Sequence, residues 1–238
     1  MSIFVKNTNY HTYEGMEADL REAVDKSSVP AEVIIAGHST QDRPVLAACF
    51  GDGDFRKPEV LFFALAHSME FVGAEAALAL ARKLADPAVS HETARALELV
   101  NAWVIPVLNP DGYKKIEKAL GSGLGLAYGR GNARGVDLNR NFPVGFYHVP
   151  RSIFAGSPAK VSPYYRGASP CSEAEARILR DFILGHNIKT SLGFHSFGRR
   201  LLFPYHHMRK KCKDHDTMMK IGEGMAAKQE RPYSMGPG

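Results

Sequence analysis

The 238-residue chain has three cysteines, at 49, 171 and 212. Their number is odd and no two stand in CxxC spacing, which argues against a disulfide framework and against a thiolate zinc site. Cys49 sits inside the apolar run Val45 to Phe50 and reads as core. No apolar run approaches the ~20 residues of a membrane span. The longest, Val60 to Ala66, is the size of a strand. The first residues show no charged start, apolar core and small-residue cleavage site, so no secretory signal is visible. Two zinc-hydrolase signatures are absent as well. HExxH does not occur, and the inverted HxxEH form fails because Phe71 follows Glu70. There is no internal repeat and no low-complexity linker.

What remains is ordinary for a globular chain: 45% hydrophobic and 23% charged residues, with a formal net charge of +5. A chain of this length can bury a sizeable core without staples. The basic run Arg209-Lys210-Lys211-Cys212-Lys213 reads as a solvated face, and nucleic acid is not an expected partner. Nor is a membrane.

Strand-like and helix-like segments alternate. The spacing of Met16, Leu20 and Val24 predicts a helix over 16–26. Strands are expected at 33–36, 45–50, 60–66, 102–108 and 190–194, and around Leu201 to Tyr205. Further helices are expected at 71–85, 91–100 and 214–229. Another opens at Ser172 and runs to about Leu184, with Glu175 three residues on in a capping-box pattern. Asn109-Pro110-Asp111-Gly112 reads as the stop after a strand. The glycine-rich stretch 121–135 and the proline-rich stretch 143–170 read as irregular, and long loops of the second kind are usually functional. The pattern predicts a single α/β domain over 1–238. Its sheet is expected to be mixed, largely parallel and twisted, with helices on both faces. Ligands of such sheets bind beyond the carboxyl ends of strands. His67, Asn109 and His195 all follow predicted strands.

His67-Ser68-Met69-Glu70 places an imidazole and a carboxylate three residues apart, just past a buried strand. A turn there can aim both side chains at one point. Zinc hydrolases commonly use two His and one Glu and leave a fourth position open. HxxE alone is a weak signal. It gains weight from Gly135-Val136-Asp137-Leu138-Asn139-Arg140-Asn141-Phe142 and from Gly193-Phe194-His195-Ser196-Phe197.

Together these three segments resemble the zinc carboxypeptidase family. Asn109 to Tyr113, Tyr10 to Tyr13 and Leu201 to Tyr205 extend the resemblance over nearly the whole chain. It implies one Zn2+ held by His67, Glu70 and His195, with Asp137 accepting a hydrogen bond from the far nitrogen of His67. It implies that Asn139 and Arg140 hold the free C-terminal carboxylate of a peptide substrate, a task suited to a guanidinium fork. Arg130 corresponds to the arginine that stabilises the oxyanion, with Arg134 as the competing candidate. Ser196 and Phe197 are expected to line the cleft, whereas His206, His207 and His215 have no ligand counterparts. The implied reaction is metal-assisted removal of a C-terminal amino acid.

The family's general base is a Glu near its C-terminus, preceded by a mobile Tyr, and neither falls within 1–238. Glu223 and Glu230 are poor substitutes. The chain is therefore expected to be cut short, to bind zinc and to turn over substrate slowly. Met69 stands where digestive members carry Arg. With no leader or pro-segment seen, a cytoplasmic setting is the simplest expectation. Asn132 to Pro143 also spells a sequence found in members acting on cell-wall peptides or polyglutamate side chains, so that substrate class is the alternative. A zinc-binding module without catalysis is the reading from another class.

Overall fold

The computed structural model describes residues 4–6, 8–86, 88, 90–122, 129–147, 156–205 and 210–237. Tyr128, His206, His207 and parts of the two stretches read as irregular lie outside them. Five strands form the main sheet: β1 (Ala31–His38), β2 (Pro44–Phe50), β3 (Glu59–Ala64), β4 (Asn101–Ile105) and β5 (Ile188–Phe194). Their order is β1-β2-β4-β3-β5. β3 runs parallel to both β4 and β5, while β1–β2 and β2–β4 are antiparallel. The sheet is mixed, as expected, and its parallel half is the half that carries the site. The β1–β2 pair is antiparallel because the two strands are joined by the short turn 39–43, too short for the crossover a parallel pair needs.

Helices cover both faces, and the reason is the period-2 alternation of the strands. Leu46, Ala48, Phe50, Ala102 and Val104 point to one side and pack with Met16 and Leu20 of α1 (Tyr13–Asp25), Leu78 and Ala81 of α2 (Phe71–Ala85), and Tyr113. Val45, Ala47, Cys49, Trp103 and Ile105 point to the other side. They meet Leu179 and Phe182 of a later helix, Ala174–Gly185. Burial pushes the Cys49 thiol up to about 12, which fits its core role.

Helix α3 (His91–Leu99) leads into β4, capped by the Ser90 hydroxyl. The segment read as a stop, Asn109-Pro110-Asp111-Gly112, instead opens α4 (Pro110–Gly121). The Asn109 side chain accepts from Gly112 N at 2.9 Å, and Pro110 occupies the first turn, where its missing N–H costs nothing. Tyr113 Oη donates to His11 O at 2.7 Å and ties α4 to the N-terminal segment.

Helix α5 is Ala174–Gly185, and the capping box expected at its start does not form. Ser172 Oγ donates to Glu173 Oε1 at 2.7 Å, and Glu175 is fully buried in another network. The last elements are β6 (Arg200–Phe203), α6 (His215–Ala227) and β7 (Ser234–Pro237), with β6 and β7 parallel in a separate two-stranded sheet. β7 has no counterpart in the sequence expectations, since Ser-Met-Gly-Pro carries little strand signal. Lys210, Lys211 and Lys213 are exposed, as a solvated basic run should be. No helix among the described residues is long and apolar enough to cross a membrane.

Candidate metal centre

The site lies where β3 and β5 end side by side. Their register pairs Ala64 with Phe194, so the residues just beyond each strand leave the sheet as neighbours. The approach is close. A Cβ on Gly193 would lie 2.8 Å from the Phe63 ring, and one on Gly73 would lie 3.2 Å from Phe194 O. After β3 the chain turns through Leu65, a fully buried leucine at φ 57. A left-handed leucine costs roughly 1–2 kcal/mol, and packing here holds it. The outcome is that His67 and Glu70 face β5.

His67 to Glu70 form one turn, closed by Glu70 N donating to His67 O at 3.1 Å. Glu70 stands at the N-cap of α2 but makes no side-chain cap, so its carboxylate is left for the site. Oε1 lies 2.9 Å from His67 Nδ1, and Oε2 lies 2.8 Å from His195 Nδ1. The two Nδ1 atoms are 3.2 Å apart. One ligand atom from each of His67, Glu70 and His195 falls within 4.8 Å of the others. Two imidazoles and one carboxylate converging this way match the donor set of an open zinc site.

Asp137 stands behind His67. It is fully buried, and its Oδ1 is 3.1 Å from His67 Nε2. A proton on Nε2 leaves Nδ1 with its lone pair directed at Glu70 and His195, which is the tautomer a metal requires. Asp137 Oδ2 accepts from Arg130 Nε at 3.1 Å and from Arg130 Nη2 at 3.0 Å. Arg130 Nη2 also lies 2.8 Å from His67 Nε2.

The charges follow from these contacts. Burial alone would raise the Glu70 carboxyl, but hydrogen bonds from His195 and His67 override it and hold it at about 2. Burial likewise opposes ionisation of Asp137, and the bond from His67 with the charges of His67, Arg130 and Arg140 wins, lowering it. Burial disfavours the His67 cation, and the bonds to Asp137 and Glu70 outweigh that and raise it.

The loop that carries Arg130 and Asp137 folds back on itself. Asn132 N donates to Val136 O at 2.9 Å, and Gly135 N to Asn132 O at 3.0 Å. A Cβ on Gly131 would lie 2.5 Å from the Gly135 carbonyl carbon, so this closure needs glycine. The loop is also pinned to the turn His67 to Glu70, with Met69 N donating to Gly129 O at 3.1 Å and Ser68 Oγ to the same oxygen at 2.8 Å. Buried Asn132 has both ends occupied. Nδ2 donates to Glu173 and Glu175, and Oδ1 accepts from Arg134 N and Val136 N. Sequence reasoning missed this network, because acidic residues at a helix start read as ordinary helix-terminus chemistry.

Asn139 and Arg140 lie on the 3-10 turn Leu138–Arg140, held by Asp137. Its Oδ1 accepts from Asn139 N at 3.0 Å, and its backbone O from Arg140 N at 2.9 Å. Asn139 is exposed and Arg140 partly so. The structure thus brings His67, Glu70, His195, Asp137 and Arg130 into one bonded cluster, with Asn139 and Arg140 on its rim. Arg134 points elsewhere, 61% exposed and 3.9 Å from Glu173. Ser196 follows His195 and makes no hydrogen bond to the cluster among the described residues, while Phe197 is almost fully exposed. His215 lies at the start of α6, with Nδ1 buried and unpaired.

Comparison with known proteins places this geometry in context. A family model described as zinc carboxypeptidase matches residues 16–235. The chain is 29% identical over 249 residues to carboxypeptidase A2 of Rattus norvegicus, covering 96% of this chain and 55% of that protein. It is 29% identical over 210 residues to carboxypeptidase B of Astacus astacus, covering 83% and 65%. The crystal structure of the carboxypeptidase A from Helicoverpa armigera superposes with a TM-score of 0.79 at 27% identity, over 96% of this chain and 57% of that one. The chain thus spans little more than half the length of the carboxypeptidase A relatives it matches.

Proposed function

The chain belongs to the zinc carboxypeptidase family, and on that premise we propose that it forms the metal-holding and carboxylate-gripping part of a peptidase that removes C-terminal amino acids. The observation that carries this reading is the convergence of His67, Glu70 and His195 within 4.8 Å, backed by Asp137.

His67, Glu70 and His195 would hold one zinc ion. The donor set fits: two imidazoles, one carboxylate kept ionised, and a buried acceptor that fixes the His67 tautomer. When bound, zinc supplies Lewis acidity, lowering the pKa of a water and polarising the peptide carbonyl. Arg130 would stabilise the charge that develops on the carbonyl oxygen, as a fixed cation whose position is set by Asp137. Asn139 and Arg140 would receive the terminal carboxylate. That grip explains an exopeptidase, because an internal peptide bond offers no carboxylate there. Ser196 would line the cleft beside His195. Proton transfer is assigned to none of these residues, and Glu223 and Glu230 are exposed on or beyond α6.

The spelling shared with cell-wall and polyglutamate peptidases does not decide between substrates, because Asn132 spends its side chain on the loop. The test is the binding of short peptides to the zinc-loaded chain. A free-acid peptide should bind at least about tenfold more tightly than its C-terminal amide, as loss of a charge-assisted pair implies. Arg140→Ala should abolish the difference. Equal binding of acid and amide would overturn the exopeptidase reading. A preference for γ-linked or D-amino-acid peptides would replace the substrate class.

A further inference from the structure

Arg130 is held on one edge and lies over an aromatic ring. On the edge, Nε and Nη2 both donate to Asp137 Oδ2, at 3.1 and 3.0 Å. Two donors on a single oxygen fix where that edge sits, but the guanidinium plane can still tilt about it. Arg130 Cζ lies over the ring of Tyr164, 4.9 Å from its centroid. That contact opposes the tilt, because an aromatic face attracts a cation held over it. The Arg130 side chain is only 14% exposed, so water screens the contact weakly. Nη1 makes no hydrogen bond among the described residues, which leaves one donor uncommitted to Asp137 or His67.

The two supports of Arg130 are tied to each other through the backbone. Asp137 N donates to Tyr165 O at 2.8 Å, one residue from the Tyr164 ring. Tyr164 is fixed from its other side as well. Ser157 N donates to Tyr164 O at 2.8 Å, and Tyr164 N to Ser162 Oγ at 3.2 Å. The stretch 156–166 therefore delivers an aromatic face to the guanidinium at a set distance from the carboxylate that grips its edge.

We infer that Tyr164 is a positioning residue for Arg130, its ring holding the guanidinium in the plane from which Nη1 faces the substrate carbonyl. The inference rests on the proposed role of Arg130 at the developing oxyanion. It concerns the ring and not the hydroxyl, so phenylalanine should serve where leucine does not.

The test uses the zinc-loaded chain, its Tyr164→Leu and Tyr164→Phe variants, and three readouts. The first is the side-chain Nε–H signal of Arg130 in nitrogen-15 NMR, assigned by its loss in Arg130→Lys. The second is calorimetric affinity for an N-acyl dipeptide phosphonate, a tetrahedral anion that mimics the transition state. The third is zinc affinity. Tyr164→Leu should average the Arg130 signal and weaken phosphonate binding by about tenfold, the scale of one desolvated cation–π contact. Zinc affinity should stay within roughly twofold, since the bond from His67 Nε2 goes to Asp137 Oδ1, which the substitution leaves in place. Tyr164→Phe should restore both losses. An unchanged Arg130 signal in the leucine variant overturns the inference. So does a phenylalanine variant as defective as leucine, or a parallel fall in zinc affinity. Arg130→Ala separates the two readings. If it binds the phosphonate as tightly as the parent, the role proposed for Arg130 fails, while the NMR result still decides what holds the side chain.

Discussion

Asp137 sets its Oδ1 3.1 Å from Nε2 of His67 and keeps its other side-chain oxygen for Arg130. One buried carboxylate thereby orients His67, the proposed metal ligand, and Arg130, the proposed substrate-facing cation, together. Asp137→Asn is expected to weaken zinc binding by about 10- to 100-fold, the usual cost of losing such a partner. A chelator competition titration of the purified variant measures it. The change is nearly isosteric, so the thermal midpoint of the metal-free chain serves as a control for folding. Zinc affinity equal to the parent's would show that Asp137 does not orient His67.

The metal-free chain should show a stability optimum set by the same cluster. His67 has a raised pKa in the fold, so its contribution is present below about 6.5, its unfolded value. That contribution is lost as pH rises through the folded value. Glu70 and Asp137 are lowered, Glu70 to about 2. Their contribution is present above about pH 4.5 and is lost as pH falls further. From these groups, stability of the metal-free chain should be greatest between about pH 4.5 and 6.5. Zinc should cancel the loss on the alkaline side, because the metal takes the place of the proton on His67. Thermal melts from pH 4 to 8, with and without zinc, test this. A metal-free melting point that keeps rising from pH 6 to 8 would contradict it.

The loop between Arg130 and Asp137 makes a steric prediction. Gly131→Ala would put a methyl carbon 2.5 Å from the Gly135 backbone, which has no flexible end to move aside. A loss of about 1–3 kcal/mol is expected from such overpacking, together with weaker zinc binding as Asp137 shifts. Gly121→Ala, at the end of α4, meets nothing within 4 Å. It should be neutral or stabilising by up to ~1 kcal/mol. Urea denaturation of both variants makes the comparison. Similar losses at the two positions would mean that the loop closure is not what requires glycine at 131.

How much of this could be read from the residues varied with how local the signal was. Helix α2 spans Phe71–Ala85 as the periodicity predicts, and the apolar run at β3 is a strand at the centre of the parallel half. His67, Glu70 and His195 were legible because short motifs sit at strand ends. Asp137 was legible from its motif alone. Helix α4 was misread because Asn-Pro-Asp-Gly serves equally as a turn and as a capped helix start. What settles it is the Asn109 side chain bonding Gly112 N, a choice made by tertiary context. The role of Glu175 was hidden for a related reason. Its spacing from Ser172 suggests a capping box, but its partners, Asn132 and the Thr40 N–H, lie 43 and 135 residues away in the chain. Tyr164 carries no sequence signal for its contact with Arg130, since the two meet only through loop closure.

The most direct test of the whole account is the zinc content of the purified chain beside that of His67→Ala. After loading and removal of free metal, the chain should hold one zinc ion and the variant close to none, with Glu70→Ala and His195→Ala behaving like it. A chain that binds no zinc would contradict the account. So would a variant that holds as much as the parent, because His67 would then not be a ligand.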